Sequence, residues 1–172
     1  MKTMKLGSET GSLMNHLMGS SNLPPVVGKG ATILHWTDRS AYEVIEVTEN
    51  GKRCKIQRYN PERVDENGMS ESQSYKYEKL TDEVHSLVFR NDSWHFEKVE
   101  IVFTKEFLQK AGDNYMYSRL MTPEQKNAVY GVGDDYDCRP GFVVDGITRQ
   151  RKVYPKVNII FGVKREYYDY SF

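Results

Sequence analysis

The stretch YEVIEVTENGKRCKIQRY, residues 42–59, constrains the fold of this chain more than any other segment. Two runs rich in β-branched and aromatic residues, 42–47 and 54–59, flank the dipeptide Asn50-Gly51. Such runs favour strands, and Asn-Gly readily adopts the positive φ angles that a tight primed turn requires. The sequence therefore predicts an antiparallel β-hairpin at this position.

Similar strand patterns recur along most of the chain. They cover residues 26–36, 74–80, 85–99, 142–154 and 156–172. A second hairpin is predicted to turn at Asn91-Asp92, because both side chains tolerate left-handed backbone. Short strands separated by turns are typical of a small barrel or sandwich, so we predict a mainly β protein.

Two short segments instead favour helices. TKEFLQKAG places Phe107 and Leu108 on one side of a helix, and TPEQKNAVYG begins with a capping box at Thr122 and Gln125 around Pro123. We therefore predict one β-rich domain over residues 26–172 with a helical insertion at about 101–140. Residues 1–25 form an N-terminal arm, in which Leu13, Met14, Leu17 and Met18 share helical spacing.

Charge and composition exclude several classes of protein. The 24 basic and 24 acidic side chains give zero net charge, which argues against general binding to a nucleic-acid backbone. No apolar run approaches the roughly 18 residues of a membrane span, and residues 1–25 do not resemble a secretory signal. Cys54 and Cys138 lack metal-ligand spacing, so we expect two unpaired thiols in a reducing compartment.

The residues that can support catalysis do not form a recognisable set. His16, His35, His85 and His95 are candidate bases, and Ser70 and Ser72 are candidate nucleophiles, but no nucleophile-elbow or Cys-His motif accompanies them. The alternating pattern places His35 and Trp36 on a strand as packed side chains. We expect no catalytic site and no cofactor.

The sequence gives as little indication of a metal site as of a catalytic site. His85 and His95 lie on facing arms of one predicted hairpin, without a third ligand. Neither acidic run, Asp65-Glu66 or the group Asp134, Asp135 and Asp137, matches a calcium loop, so we interpret both as solvated loop charge.

Three polar blocks, residues 28–39, 65–77 and 165–172, are better candidates for ligand binding. Loops at one end of a barrel come together, so residues from distant blocks can share one pocket. Arg39 offers a planar donor fork, and hydroxyl and amide groups suit a small polar ligand. The candidate residues are Trp36, Asp38, Arg39, Ser70, Ser72, Gln73, Tyr75, Arg165, Tyr167, Tyr168 and Asp169. Alternatively, Arg39 pairs with Asp38 or Asp169, and the three blocks only close the barrel.

The same blocks read GKGATILHWTDR (28–39), DENGMSESQSYKY (65–77) and REYYDYSF (165–172). Together they resemble a family of uncharacterised small tailed-phage proteins, in whose pattern most of residues 100–155 has no counterpart. The first block and the following hairpin also resemble SH3-like and Tudor-like barrels. Tudor-like domains suggest a further hypothesis, an aromatic cage for a cationic side chain at Trp36, Tyr42 and Tyr59.

These resemblances imply a phage protein that acts in the host cytoplasm or in the virion. We expect a non-enzymatic module that captures a small polar or nucleotide-like ligand or a host protein, for example to counteract a host defence. The alternative is a structural or accessory protein of the phage particle, in which the arm and the tyrosine-rich strands make subunit contacts. Either role is compatible with a homo-oligomer, and neither requires a membrane.

Overall fold

The computed structural model describes residues 23–70, 72–111, 120–131 and 140–170. The strands are β1 (Gly30–Leu34), β2 (Arg39–Val47), β3 (Arg53–Arg63), β4 (Tyr75–Arg90), β5 (Ser93–Phe96), β6 (Lys98–Phe103), β7 (Thr148–Val153) and β8 (Ile159–Phe161). The helices within the described residues are α1 (Lys105–Ala111) and α2 (Pro123–Tyr130). The chain divides into two compact units, the described parts of Met1–Glu97 with Tyr154–Phe172, and those of Lys98–Val153.

The first unit is a nearly closed antiparallel barrel of six strands in the order β5-β4-β3-β2-β1-β8. Residues 155–161 bring the two ends of this sheet together. Phe96 N–H donates to the Pro155 carbonyl at 2.9 Å and Val157 N–H donates to the Trp94 carbonyl at 3.0 Å, while β8 pairs with β1. The predicted mainly β fold is confirmed, and the barrel is consistent with an SH3-like resemblance.

Alternation along the strands builds the barrel core. Every second residue of β1, β2 and β3 points inward, and these side chains meet Leu87 from β4. The Trp94 ring packs edge-on against Phe161, with 5.3 Å between the ring centroids. The buried core residues are Ala31, Ile33, Tyr42, Val44, Cys54, Ile56, Leu87, Val157, Ile159 and Phe161.

Both predicted hairpins form, but with different turns. Asn91 and Asp92 have φ angles of 49° and 59°, which confirms a two-residue turn with left-handed backbone. The tight primed turn predicted at Asn50-Gly51 is wrong, because only Gly51 has positive φ there. The Asn50 side-chain oxygen accepts hydrogen bonds from the Thr48 hydroxyl (2.9 Å) and the Lys52 N–H (3.0 Å), and the loop is longer as a result.

The first strand ends earlier than its apolar pattern suggests. His35 N–H donates to the Asp38 carbonyl at 3.0 Å, which turns the chain immediately after Leu34. His35 is consequently exposed, and 67% of the Trp36 side chain is accessible to solvent. The prediction that these two residues pack in the protein interior is therefore wrong.

The second unit combines the two helices with a two-stranded sheet of β6 and β7. The capping box predicted at Thr122 is confirmed, with Gln125 as its partner and Pro123 at the first helical position. Residues 101–103, which were predicted to begin the helical insertion, instead belong to β6, because they pair with β7. This unit has its own core of Phe103, Phe107, Met121, Val129 and Ile147.

No helix in the described part of the chain is long and apolar enough to cross a membrane.

Candidate functional site

The segment after β8, residues 163–170, lies across the barrel strands, and we call it the strap. It was predicted to be part of a final strand, but it forms only a bridge between Tyr167 and Arg39. Gly162 has a φ of 86°, which ends the strand before the strap begins.

The beginning of the strap covers a residue of the barrel that faces away from the core. Thr32 alternates with the core residues Ala31 and Ile33, so its side chain points to the opposite face, yet it is fully buried. The Thr32 hydroxyl donates to the Val163 carbonyl at 2.9 Å and accepts the Arg165 N–H at 3.0 Å. The burial of Thr32 is thus explained by its contacts with the strap.

A largely buried ion pair between Arg58 and Glu166 anchors the middle of the strap. The two guanidinium nitrogens lie 2.6 and 2.7 Å from the two carboxylate oxygens. The same pair binds the backbone of Ala41, whose N–H donates to Glu166 (2.9 Å) and whose carbonyl accepts from Arg58 (2.9 Å). Burial lowers the pKa of Arg58, but hydrogen bonds and charge from Glu166 outweigh it and raise the pKa above its ordinary value.

Cations of the chain itself contact the tyrosines that β2, β3 and β4 supply. The Lys164 ammonium lies 4.9 Å from the Tyr59 ring centroid and 5.4 Å from that of Tyr77. The Arg58 guanidinium lies 5.4 Å from the Tyr42 ring centroid. Tyr42 and Tyr59 are only 4% and 6% exposed. The predicted cage of Trp36, Tyr42 and Tyr59 is therefore wrong, because the two buried rings already hold internal cations.

The first and third polar blocks meet at the beginning of β2. Arg39 and Tyr167 exchange backbone hydrogen bonds of 2.9 and 3.1 Å, and the Arg39 guanidinium lies 5.3 Å from the Tyr167 ring centroid. One Asp38 carboxylate oxygen accepts the Asp169 N–H at 2.8 Å. These candidates are brought together by bonds to the strap.

The second polar block contacts the strap through Gln73. Its side-chain amide donates to the Tyr168 carbonyl at 2.6 Å, and its side-chain oxygen accepts the Tyr168 N–H at 3.1 Å. The Tyr75 hydroxyl donates to that oxygen as well, at 2.8 Å. Ser70 and Ser72 contribute within the loop, where the Ser70 hydroxyl accepts the Ser72 N–H at 3.1 Å.

Sequence reasoning missed the strongest anchors of the strap. Arg58 follows Cys54 and Ile56 at alternate positions of β3, so an inward-facing arginine that requires an acid was detectable. Its partner Glu166 was not, because 108 positions separate the two residues.

Arg63 and Tyr170 form a second missed anchor. The Arg63 guanidinium donates to the Tyr170 hydroxyl at 2.9 Å and binds Asp65 through two nitrogens at 2.8 and 2.9 Å. The Arg63 guanidinium and the Ser74 N–H hold the pKa of Asp65 well below its usual range. The interpretation of Asp65 as solvated loop charge is therefore wrong.

The other candidate groups for catalysis or metal binding serve structural contacts. His85 lies 2.7 Å from Glu83 and packs against the rings of Tyr42 and Phe96, whereas His95 faces Val88. In the described ranges, no three His, Cys, Asp or Glu side chains are grouped to hold a metal ion. Burial raises the pKa of the Cys54 thiol to about 12, which suppresses its nucleophilicity. His16, Cys138 and the acidic residues 134–137 lie outside the described residues, as does most of the predicted arm.

No protein-family model, no curated protein and no solved structure matches this chain.

Proposed function

We propose that this chain is a non-enzymatic binding module of tailed-phage origin that captures a host protein. The phage origin depends on the resemblance of the three sequence blocks. The choice of a protein partner depends on one structural observation. Trp36, Met69 and Tyr168 are exposed by 67%, 73% and 51%. Tyr168 lies on the strap, and the other two lie on the two segments that the strap joins through Asp38 and Gln73.

These three residues, which we call the tip, have the composition of a protein interface. Trp and Tyr dominate the binding energy of many interfaces, and Met adapts to irregular partners. The Asp38 and Gln73 bonds to the strap hold their segments beside one another. A partner would therefore meet aromatic side chains on a supported backbone, which lowers the entropy lost on binding.

A small polar ligand is less well supported as the partner. The Gln73 amide and the Asp38 carboxylate are the groups best suited to it, and both bind strap backbone. Such a ligand would have to displace those bonds before it gained its own. A protein that covers the tip leaves them intact.

The test is affinity purification of the tagged full chain from phage-infected host cells, compared with a Trp36→Ser/Tyr168→Ser variant. The matched control is Val27→Ser/Val99→Ser, which removes two other exposed apolar side chains, 58% and 57% accessible. We expect one host protein to be retained by the wild type and the control. Its affinity for the tip variant, measured with purified components, should fall at least tenfold, or about 1.4 kcal/mol.

Three outcomes contradict the proposal. Equal binding by the tip variant and the control removes the tip as the contact surface. A bound small molecule in native mass spectrometry, lost in Arg39→Ala, supports the small-ligand alternative. Stoichiometric recovery of the chain in purified virions supports a structural role in the particle.

A further inference from the structure

The strap is not required to close the barrel. The sheet is already joined end to end by residues 155–161, which bond to β5 on one side and to β1 on the other. The strap adds one bridge, Arg39–Tyr167, and no strand. It can therefore leave the barrel without breaking the hydrogen-bond ladders of the sheet.

The surface under the strap is nevertheless built for it. Arg58, Thr32 and Gln73 each present polar groups that strap atoms satisfy. Removal of the strap would take from the Arg58 guanidinium both hydrogen bonds to the Glu166 carboxylate, at 2.6 and 2.7 Å, while its bond to the Ala41 carbonyl belongs to the barrel. These polar groups of the barrel are satisfied by atoms of the strap, so the strap sequence fits this surface.

A single residue connects the strap to β8. Gly162 has a φ of 86°, in the left-handed region, and a Cβ added to it would lie 3.1 Å from Leu23 Cδ1. A change in this one backbone conformation redirects the whole strap away from its own barrel. Every anchoring contact can then form again on another copy, because none depends on which molecule supplies the strap.

We propose that the strap is exchanged between two copies of this chain, so that each barrel binds the strap of the other. The dimer has twofold symmetry, and its Arg58–Glu166 pairs are intermolecular. It keeps all the contacts of the closed monomer and differs at the hinge, Gly162. The balance between the two forms is therefore set by concentration and by the cost of the hinge conformation.

The first test changes the hinge. Gly162→Ala penalises the left-handed conformation by about tenfold in the closed monomer, and two hinges are released per dimer. The association constant should therefore rise about a hundredfold, as measured by sedimentation velocity over a range of concentrations. The matched control is Gly51→Ala, at a φ of 65° with nothing within 4 Å of the added Cβ. Equal association of the two variants overturns the proposal.

The second test exchanges charges across the pair. Arg58→Glu and Glu166→Arg each place like charges together, both in a closed monomer and in their own homodimers. Mixing the two variants after unfolding restores opposite charges only if straps are exchanged between copies. We expect a 1:1 heterodimer in native mass spectrometry with a higher melting temperature than either variant alone.

The readout remains decisive if a single variant folds poorly, because rescue on mixing requires exchange. A mixture that melts as the sum of its components, with no 1:1 species, overturns the proposal.

Discussion

Replacement of Glu166 by glutamine is the most direct test of how the strap is held. Glutamine preserves the shape of the side chain and leaves an oxygen for the Ala41 N–H, but it removes the charge that pairs with Arg58. Loss of one partner from a fully buried ion pair costs about 3–5 kcal/mol, and from an exposed pair about 0–1 kcal/mol. Arg58 and Glu166 retain 17% and 13% exposure, so we expect a loss of about 2–3 kcal/mol.

The chain offers a matched control, a second ion pair at nearly the same distance. Lys55 and Glu46 lie 2.7 Å apart, against 2.6 Å for Arg58 and Glu166, but are 46% and 57% exposed. Glu46→Gln should therefore cost less than about 0.5 kcal/mol, because solvent screens the charges and the flexible side chains lose entropy.

Urea unfolding followed by tryptophan fluorescence measures both variants in the barrel unit alone. The two tryptophans of the chain, Trp36 and Trp94, both belong to that unit, and Trp94 packs against core residue Phe161. The melting temperature of Glu166→Gln should fall by about 4–12 °C. If the two variants lose stability within about 0.5 kcal/mol of each other, burial does not set the strength of this pair and the reasoning is refuted.

Three further predictions follow from burial. Thr32→Val keeps the shape of the side chain but leaves the Val163 carbonyl and the Arg165 N–H without their buried partner, so unfolding by urea should show a loss of about 1–3 kcal/mol. Trp36→Ser should change the free energy of unfolding by less than about 0.5 kcal/mol in the same assay, because Trp36 is exposed. Phe161→Ala should instead cost about 3–5 kcal/mol, because Phe161 is only 2% exposed. A large loss in Trp36→Ser would contradict its exposed position. Burial raises the pKa values of Cys54, Tyr42 and Tyr59 to about 12 in the folded chain, above the ordinary 9 for the thiol and 10 for the phenols. The unfolded chain therefore releases these protons at lower pH, so the free energy of unfolding should decrease as the pH rises from about 9 to 12. Phenolate absorbance in which all the tyrosines of the folded chain titrate with a pKa near 10 would contradict this last prediction.

Local patterns predicted the barrel strands because their causes are local. The Asn91-Asp92 turn and the Thr122 capping box each depend on a few neighbouring residues, and both are confirmed. The same patterns were wrong for Trp36, because a backbone bond between His35 and Asp38 turns the chain one residue before that alternating position. They also did not identify the loop geometry at Asn50, where the side-chain oxygen of the asparagine accepts two hydrogen bonds within a longer turn.

The candidate site was also only partly predictable from local sequence patterns. The sequence leaves open whether the three polar blocks form a ligand site or only close the barrel, and the structure joins them through Asp38, Gln73 and the strap. Their assignment to ligand binding stays a prediction. Of the two anchors, Arg58 is detectable from the alternation of β3, but its partner Glu166 is not, because 108 positions separate the two residues.

The sequence by itself determined most of the barrel strands, the Asn91-Asp92 turn and the capped helix, since backbone propensities, alternation and capping act over a few residues. Only the tertiary structure decided which polar groups satisfy one another and which large side chains remain exposed. Arg58 has its inward position from the alternation of β3, but its charge is balanced by a carboxylate 108 positions away. Such a pair depends on the closure of the barrel and on the direction in which the strap leaves Gly162. Neither can be predicted from the residues that neighbour Arg58 or Glu166 in the sequence.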